Sequence, residues 1–258
     1  MKGIDCASPL TATKANAIAA EGYKFAARYL VPVKYAWKRI IRLEAEAITK
    51  AGMKILSVYE TTANRPKGGA ANGKVDGAAA YKEAQEIGQP LGSAIYFACD
   101  WDANSGDFDA IEAYLRAAAK EVVGYTVGVY AEFDVIEEMA KRKACQHFWQ
   151  TYAWSKGKRS MYANVYQYKN GQVIAYHSVD LNESYGNEGF WDTNPVTVKG
   201  PYSDIDGHWA KTDIIRATEA GLLAGYPDGT FKPDQPLTRA EFASALVRFD
   251  KMIKGVKQ

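Results

Sequence analysis

The sequence predicts an α/β fold in which about eight strands close into a barrel, with about five helices around its first part. Strand-like and helix-like segments alternate over roughly the first 150 residues, which is typical of a parallel sheet with helical cover. Acidic residues recur at the ends of these strands. Eight strands in about 190 residues favour closure into a compact, TIM-like barrel whose last part has lost its helices.

The clearest strand is the segment 94–102, with the sequence AIYFACDWD. From Ile95 to Trp101, every second residue points to the same face of the strand. These residues are apolar, which predicts that helices cover this face. The opposite face starts small and ends with Asp100 and Asp102, which would lie roughly 6.6 Å apart along the strand. Their charges repel unless a cation or a shared proton intervenes, so the pair is costly for structure alone. Paired carboxylates are the usual equipment for acid–base chemistry on a glycosidic bond.

The other segments follow from hydrophobic period, helix caps and turn residues. Thr11 is a suitable N-cap, and Gly22, Gly52 and Gly88 are suitable helix stops. The predicted strands are 3–6, 25–30, 54–60, 94–102, 126–131, 147–152, 165–168 and 172–179, and the predicted helices are 11–22, 41–51, 76–87, 107–123 and 132–142. The glycine-rich segment 64–75 is expected to be a polar loop. Lys169-Asn170-Gly171 is expected to be a tight hairpin turn between the last two strands.

Five acidic residues follow predicted strands one, three, four and eight. They are Asp5, Glu60, Asp100, Asp102 and Asp180. Strands eight and one are neighbours in a closed barrel, and the chemistry of barrel enzymes lies at the carboxyl ends of the strands. We therefore expect these acids around one mouth. Each acid alone is equally well explained as a solvated loop residue or a helix cap, so the prediction depends on the group.

Several short motifs resemble the family 25 glycoside hydrolases, the Chalaropsis-type lysozymes. They are Gly3-Ile4-Asp5, FACDWD at 97–102, YQY at 166–168 and VDLN at 179–182. The second strand, Arg28-Tyr29-Leu30, is similar to that of the glycoside-hydrolase-like relatives in the same clan. The resemblance covers about residues 1–192. It implies a barrel of eight strands and five helices that hydrolyses peptidoglycan glycan strands.

The resemblance also implies roles for the acids. The family's proton donor is a Glu two residues after an Asp on strand four, and Asp102 stands at that position here, one methylene shorter. Two donors stay open: Asp102, which we favour, and Glu60 on strand three. Asp100 is then expected to stabilise positive charge at the anomeric carbon or to orient a nucleophile. Asp5 and Asp180 are expected to be supporting carboxylates.

Aromatic and polar side chains near these strands are expected to line a sugar-binding groove, since sugar rings stack on aromatic faces and amides bind hydroxyl and acetamido groups. The candidate substrate-binding residues are Arg28, Tyr29, Tyr59, Trp101, Tyr130, Trp149, Gln150 and Gln167. The alternative for each aromatic residue is a place in the core.

Other functional classes lack support in the sequence. A net charge of +2 without a long Lys/Arg run gives no sign of nucleic-acid binding, and no apolar run approaches the length of a membrane span. His147, His177 and His208 are scattered and form no zinc-binding spacing. No P-loop, GxGxxG or GxSxG motif is present. We therefore expect neither a metal nor a cofactor.

The start of the chain and the cysteines shape the expected location. Strand-like residues begin almost at Met1, so we expect no signal peptide. Cys6, Cys99 and Cys145 are odd in number and widely spaced, which favours free thiols from a reducing compartment. These observations predict a protein made in the host cytoplasm that acts at the cell wall after release through a holin pore. A secreted wall protein that has lost its signal would look the same.

The C-terminal part is predicted to be a separate module. Residues 193–200 form a linker with Pro195 and Gly200. Within 201–258, YSDI at 202–205, HWA at 208–210, GYPDGTFKP at 225–233 and LTRAE at 237–241 resemble one S-layer homology motif. Helices are predicted over 209–220 and 239–251, and Thr238 and Glu241 form a capping box at the start of the second.

This second resemblance implies noncovalent anchoring to the secondary cell-wall polysaccharide of Gram-positive bacteria. Its candidate contact residues are Trp209, Asp228, Gly229 and Arg239. Arg239 is expected to bind an acidic or pyruvylated sugar; the alternative is a salt bridge on the helix surface. Such motifs usually act in threes, and about 50 residues bury little core alone, so we expect self-association, for example as a trimer.

Together these observations predict a glycosidase, muramidase-like or glucosaminidase-like, that lyses Gram-positive cell walls as a bacteriophage endolysin does. The alternative is a noncatalytic wall-binding protein whose barrel only holds glycan.

Overall fold

The computed structural model describes residues 1–193, 202–205, 208 and 210–253. The chain divides into two compact units, Met1–Asn194 and Pro195–Gln258. Among the described residues, no helix combines the length and the apolar character needed to span a bilayer.

The first unit is a closed barrel of eight strands, which confirms the predicted fold class. The strands are β1 (Lys2–Asp5), β2 (Phe25–Tyr29), β3 (Lys54–Tyr59), β4 (Ala94–Ala98), β5 (Thr126–Ala131), β6 (His147–Thr151), β7 (Val165–Ile174) and β8 (His177–Ser184). The helices around them are α1 (Ala12–Ala20), α2 (Arg42–Lys50), α3 (Gly69–Ile87), α4 (Phe108–Glu121) and α5 (Phe133–Lys141). Strands β1 to β7 pair in parallel, whereas β8 is antiparallel to both β7 and β1.

The alternation predicted for β4 separates two apolar cores. Ala94, Tyr96 and Ala98 point into the barrel, where they pack with residues such as Trp149. The residues between them face the helices, and the Phe97 ring lies 5.8 Å from the Tyr114 ring of α4. Each large apolar side chain buried in this way contributes roughly 1.5–3 kcal/mol to the free energy of folding.

Helix α3 is longer than the sequence predicts, because residues 69–75 are helical and not a loop. Gly73 lies against the backbone of Tyr114 in α4, and a Cβ atom at Gly77 would stand 2.8 Å from Cα of Ala118. These glycines therefore let two helix backbones approach closely. Gly73, but not Gly77, was assigned to the loop 64–75, because sequence alone does not show what a glycine faces.

The predicted hairpin turn at Lys169-Asn170-Gly171 is also wrong. Strand β7 continues through these residues with shifts in register, and the chain reverses at Ala175-Tyr176, both at positive φ. Gly171 adopts a φ of 65° within the irregular part of the strand and donates its N–H to Oδ1 of Asp180, with an N···O distance of 2.7 Å. The extended hairpin places Asn170 and Asp180 at the mouth where β1 ends.

The opposite end of the barrel is closed by residues 186–191. Ala94 N–H donates to the Gly189 carbonyl, and the Tyr96 hydroxyl donates to the Glu188 carbonyl at 2.8 Å. The Phe190 ring lies 4.8 Å from Phe25, and the Trp191 indole donates to the Ser57 hydroxyl. The segment therefore covers the first residues of β2, β3 and β4.

The second unit contains two helices joined by a Pro-Asp-Gly turn. Helix α6 spans Lys211–Glu219 and α7 spans Arg239–Ile253. The capping box is confirmed, since Glu241 N–H donates to the Thr238 hydroxyl and the Glu241 carboxylate accepts from the Thr238 N–H. The Asp228 carboxylate accepts from Thr230, and Gly229 has a φ of 79°.

Helix α7 presents several large apolar side chains to solvent. They are Phe242, Leu246, Val247, Phe249, Met252 and Ile253.

We expect Gly73→Ala to lower the free energy of unfolding by about 1–3 kcal/mol, because the new methyl group would push α3 away from the Tyr114 backbone. Chemical denaturation measures the change. Lys74→Ala, an exposed substitution on the same helix, is the control and should stay within about 0.5 kcal/mol of the wild type. Equal stability of Gly73→Ala and Lys74→Ala would contradict the close contact.

Candidate active site

A pocket of about 110 Å³ opens at the mouth formed by the carboxyl ends of the parallel strands. Four of the five predicted acids share it. Its lining consists of Asp5, Tyr29, Val58, Glu60, Ala98, Asp100, Tyr130, Trp149, Gln167, Asn170 and Asp180. Of the predicted sugar-binding residues, the structure brings Tyr29, Tyr130, Trp149 and Gln167 to this pocket.

Asp5 is the most perturbed acid in the pocket. It is 6% exposed and pairs directly with Asp180 across β1 and β8, so both side chains lie on the same face of the sheet. Burial and the Asp180 charge raise the pKa of Asp5 to about 7, and the charge of Asp100 adds to this. Hydrogen bonds from the side chains of Asn182 and Gln167 act in the opposite direction. Asp5 is therefore partly protonated near neutral pH.

Two amides hold the Asp5 carboxyl in place. Gln167 Nε2 donates to Oδ2 of Asp5 at 2.8 Å, and Asn182 Nδ2 donates to the same oxygen at 2.7 Å. The Tyr130 hydroxyl and the Trp149 indole donate to the oxygens of these amides, which turns each NH₂ group toward Asp5. Because both bonds fall on Oδ2, Oδ1 is the oxygen available to carry a proton.

The second part of the site contains one cation among the carboxylates. Lys38 Nζ lies 3.4 Å from the Glu60 carboxylate and 4.4 Å from the centre of the Tyr29 ring. Burial raises the pKa of Asp100, the Glu60 charge raises it further, and the Lys38 ammonium opposes the rise. Burial likewise raises the pKa of Asp180, while the Gly171 N–H lowers it. Asp5 and Asp100 thus have different surroundings, as an acid–base pair requires.

The structure does not place Asp102 with the other acids. Strand β4 ends at Ala98, so Asp100 and Asp102 lie on the following loop and the strand alternation does not apply to them. The loop turns Asp100 into the pocket, where its N–H donates to the Ala63 carbonyl, but leaves Asp102 exposed and outside the lining. The choice of Asp102 as proton donor is corrected for this reason.

Arg28 and Gln150 are structural residues and not substrate contacts. The buried Arg28 guanidinium pairs with Glu44, with an N···O distance of 2.6 Å, and donates to the carbonyls of Cys6 and Lys38. It thereby ties the segment after β1 to the segment that carries Lys38. Gln150 is also buried and bonds the Lys158 carbonyl and the Ser160 N–H of the loop after β6.

Tyr59 and Trp101 also lie outside the pocket lining. Tyr59 is on the outward face of β3, where its ring packs 5.8 Å from Phe97. The Trp101 indole donates to Asp107, with an N···O distance of 3.3 Å, and its ring lies 5.2 Å from Nζ of Lys67. Outward strand positions face helices, so Tyr59 takes the core role left open by the sequence.

Three residues of the site were missed from the sequence. Asn182 stands two residues after Asp180 in β8, so the period of the strand was a usable signal that both share a face. Asn170 was assigned to a turn. Lys38 lies in an irregular segment after β2, and nothing in its sequence surroundings indicates that it reaches Glu60.

The three cysteines are unpaired, as the sequence predicts. In the part of the chain that the structure describes, no three or more His, Cys, Asp or Glu side chains are grouped to hold a metal ion.

Family models match both units. The model described as an Rv2525c-like, glycoside hydrolase-like domain matches residues 16–198, and the S-layer homology domain model matches residues 201–243.

Curated relatives match parts of the chain. Cell surface glycoprotein 1 of Acetivibrio thermocellus is 49% identical over 84 residues, and these cover 32% of this chain and 3% of that protein. The uncharacterized protein FadG of Bacillus subtilis is 33% identical over 159 residues, 55% of this chain and 26% of FadG. The chain therefore spans only a small part of the length of these relatives.

Solved structures share the barrel. The Tat-secreted protein Rv2525c of Mycobacterium tuberculosis, in complex with L-tartrate, has a TM-score of 0.67 and 25% identity, covering 74% of this chain and 98% of that one. A glycosyl hydrolase 25 of Streptococcus pneumoniae has a TM-score of 0.51 and 13% identity, covering 73% and 89%, and shows a common fold alone.

The comparisons overturn the expected location. Relatives of the S-layer homology region include Cell surface glycoprotein 1 and a cellulosome-anchoring protein of A. thermocellus, and the similar M. tuberculosis protein is Tat-secreted. Synthesis in a host cytoplasm without a signal peptide is therefore the wrong expectation. It rested on where the sequence begins, which does not report how a protein is exported.

We expect Asp5→Asn to stabilise the protein more at high pH than at low pH. An unfolded Asp has a pKa near 4 and folded Asp5 one of about 7, so wild-type stability falls as pH rises between these values. The free energy of unfolding of Asp5→Asn relative to wild type should increase by about 2–3 kcal/mol from pH 5 to pH 8. Denaturant titrations at both pH values measure it.

The matched control is Ser105→Ala, an exposed residue of the loop after β4 that carries no titratable group, so its difference from wild type should be the same at pH 5 and pH 8. An Asp5→Asn difference that is the same at pH 5 and pH 8 would contradict the raised pKa.

Proposed function

The chain belongs to the Rv2525c-like, glycoside hydrolase-like family, and from this premise we propose that it hydrolyses glycosidic bonds in peptidoglycan at the cell surface. The observation that carries the proposal is Asp5. A buried carboxyl with a pKa of about 7 faces a second carboxyl, Asp100, in a pocket at the mouth of the barrel. Barrel enzymes act at this mouth, and glycosidases use two carboxyl groups in different environments.

The surroundings of the two groups support distinct roles. At Asp5, burial and the adjacent Asp180 favour the protonated form, and the groups that oppose this are neutral amides. At Asp100, the Lys38 ammonium favours the charged form. Asp5 then donates its proton to the glycosidic oxygen as the bond to the anomeric carbon breaks. Asp100 stabilises the positive charge on the sugar ring or accepts a proton from the attacking water.

The remaining residues of the pocket support sugar binding. Tyr29, Tyr130 and Trp149 supply aromatic surface, and Asn170 supplies an amide at the rim. The Glu60 carboxylate lies 3.4 Å from the Lys38 ammonium, whereas the Asp5 carboxyl accepts hydrogen bonds only from neutral amides. The bond cut is that of a muramidase or of a glucosaminidase.

The S-layer homology region anchors the protein to the cell surface. We propose that the anchor binds a secondary cell-wall polysaccharide and that the protein is secreted. This agrees with the surface and anchoring relatives and with the Tat-secreted structural relative. The bacteriophage endolysin role and the trimer stay predictions, although exposed apolar residues on α7 such as Phe242, Leu246 and Phe249 leave room for self-association.

A second candidate function is glycan binding without catalysis. The observation that favours it is the exposure of Asp102, because the acid position of the family 25 enzymes then has no carboxyl in the pocket. In that case Asp5 and Asp100 would contribute to binding alone.

Turbidity loss of purified Gram-positive cell walls tests the proposal. We expect Asp5→Asn and Asp100→Asn to lower the initial rate by about 10²–10⁴-fold, the usual contribution of a positioned acid or base. Both variants should still sediment with walls. Asp102→Asn is the control and should keep the wild-type rate.

Reducing-end analysis of the soluble products identifies the bond cut. Wild type that binds walls without clearing them would replace the enzyme by the noncatalytic alternative. Equal rates of wild type and all three variants would show that these carboxyls do not act in hydrolysis.

The anchor is tested at Arg239, which is exposed at the first residue of α7. We expect Arg239→Ala to lower the fraction bound to intact walls several-fold and to leave binding unchanged on walls stripped of secondary polysaccharide. Lys251→Ala, exposed near the other end of the same helix, is the control. An equal loss with both variants would point to general charge attraction and not to a specific sugar contact.

A further inference from the structure

The segment of residues 32–41, between β2 and α2, is held firmly beside the pocket. The Arg28 guanidinium donates to the Lys38 carbonyl, and Ile40 N–H donates to the Tyr29 carbonyl at 2.8 Å. The Arg39 guanidinium pairs with Glu83 on α3 at 2.6 Å. These bonds hold the backbone directly after residue 37, and the Tyr35 carbonyl before it accepts from the Lys38 and Arg39 N–H groups.

Trp37 is the one aromatic side chain of this segment that is mostly exposed, with 64% of its surface in solvent; the aliphatic Val33 and Ile41 are exposed as well. Neighbouring Lys38, in contrast, is buried to all but 6%. A large aromatic side chain left in water stabilises the fold little, and Trp is enriched at binding surfaces because its ring is apolar and its N–H is polar.

Lys38 shows where Trp37 stands relative to the pocket. Its ammonium lies 5.5 Å from the centre of the Trp37 ring, 4.4 Å from the centre of the Tyr29 ring and 3.4 Å from the Glu60 carboxylate. Tyr29 and Glu60 belong to the pocket lining, whereas Trp37 does not. The Lys38 ammonium therefore lies between two lining residues of the pocket and the exposed indole of Trp37, which is outside the lining.

We propose that Trp37 is a saccharide-binding platform at the rim, which stacks on the sugar next to the one held in the pocket. This inference rests on the proposed function and deepens it, since it assigns the site a glycan of at least two residues. The continuity with a polar pocket favours a sugar over a protein partner. The platform would act on the binding of longer glycans and not on the chemistry at Asp5 and Asp100.

Isothermal titration calorimetry on the full chain tests the platform with two probes, N-acetylglucosamine and its β-1,4-linked tetramer. We expect Trp37→Ala to weaken tetramer binding by about 2- to 12-fold, the range of an aromatic stacking contact. Binding of the monosaccharide should not change. Trp37→Phe should recover part of the loss.

Tyr185→Ala is the matched control. Tyr185 is 44% exposed and follows β8, at the end of the barrel opposite to the mouth. This variant should bind both probes as wild type does. On purified walls, Trp37→Ala should raise KM and leave kcat unchanged.

Equal tetramer affinity of Trp37→Ala and wild type would overturn the platform while leaving the proposed function in place, and would point to a protein partner for Trp37. Equal loss for both probes would also overturn it, because Trp37 would then support the pocket itself. Wild type that binds neither probe and does not clear walls would end the proposed function, and the platform with it.

Discussion

The mouth of the barrel depends on one cross-strand pair, Asp5 on β1 and Asp180 on β8. Two carboxylates directly opposite each other destabilise a sheet when both are charged, and burial increases the repulsion. Burial, and next the charge of Asp180, raise the pKa of Asp5 to about 7, so a proton on Asp5 relieves the repulsion. The pair exists because β8 runs antiparallel to its neighbours, which brings an early residue of β8 to the end where β1 finishes.

Much of the fold follows from local pattern. The two-residue period of β4 predicts which residues enter the barrel, and Thr11 caps its helix as expected. Asp5, Glu60 and Asp100 converge in one pocket because the parallel strands that carry or precede them end at one rim, whereas Asp102 stays outside it. Such inferences succeed because they depend on strand direction and closure, which the order of segments largely determines.

The rest depends on contacts between distant segments. Gly73 lies in α3 at a point where a residue without a side chain lets the backbone of α4 approach. Asn170-Gly171 remains in β7, where the Gly171 N–H donates to the Asp180 carboxylate. Arg28 stands on a motif strand but turns to Glu44, and Asp102 leaves the site because β4 ends four residues earlier. The partners of Gly73, Gly171 and Arg28 lie on other elements of the fold, so neither propensity nor spacing reveals these contacts.

The segment that closes the floor of the barrel lies near the C-terminal end of the first unit, before the chain continues into the S-layer homology region. If that region is held at a cell surface as proposed, a pull along the covalent chain meets the barrel unit at Thr193, which bonds Thr49, at Asp192, which pairs with Lys54, and then at Trp191. There the load meets two backbone hydrogen bonds to Ile55 and the indole bond to Ser57. Such a load therefore enters the barrel at its floor, at the end opposite to the carboxylates of the mouth.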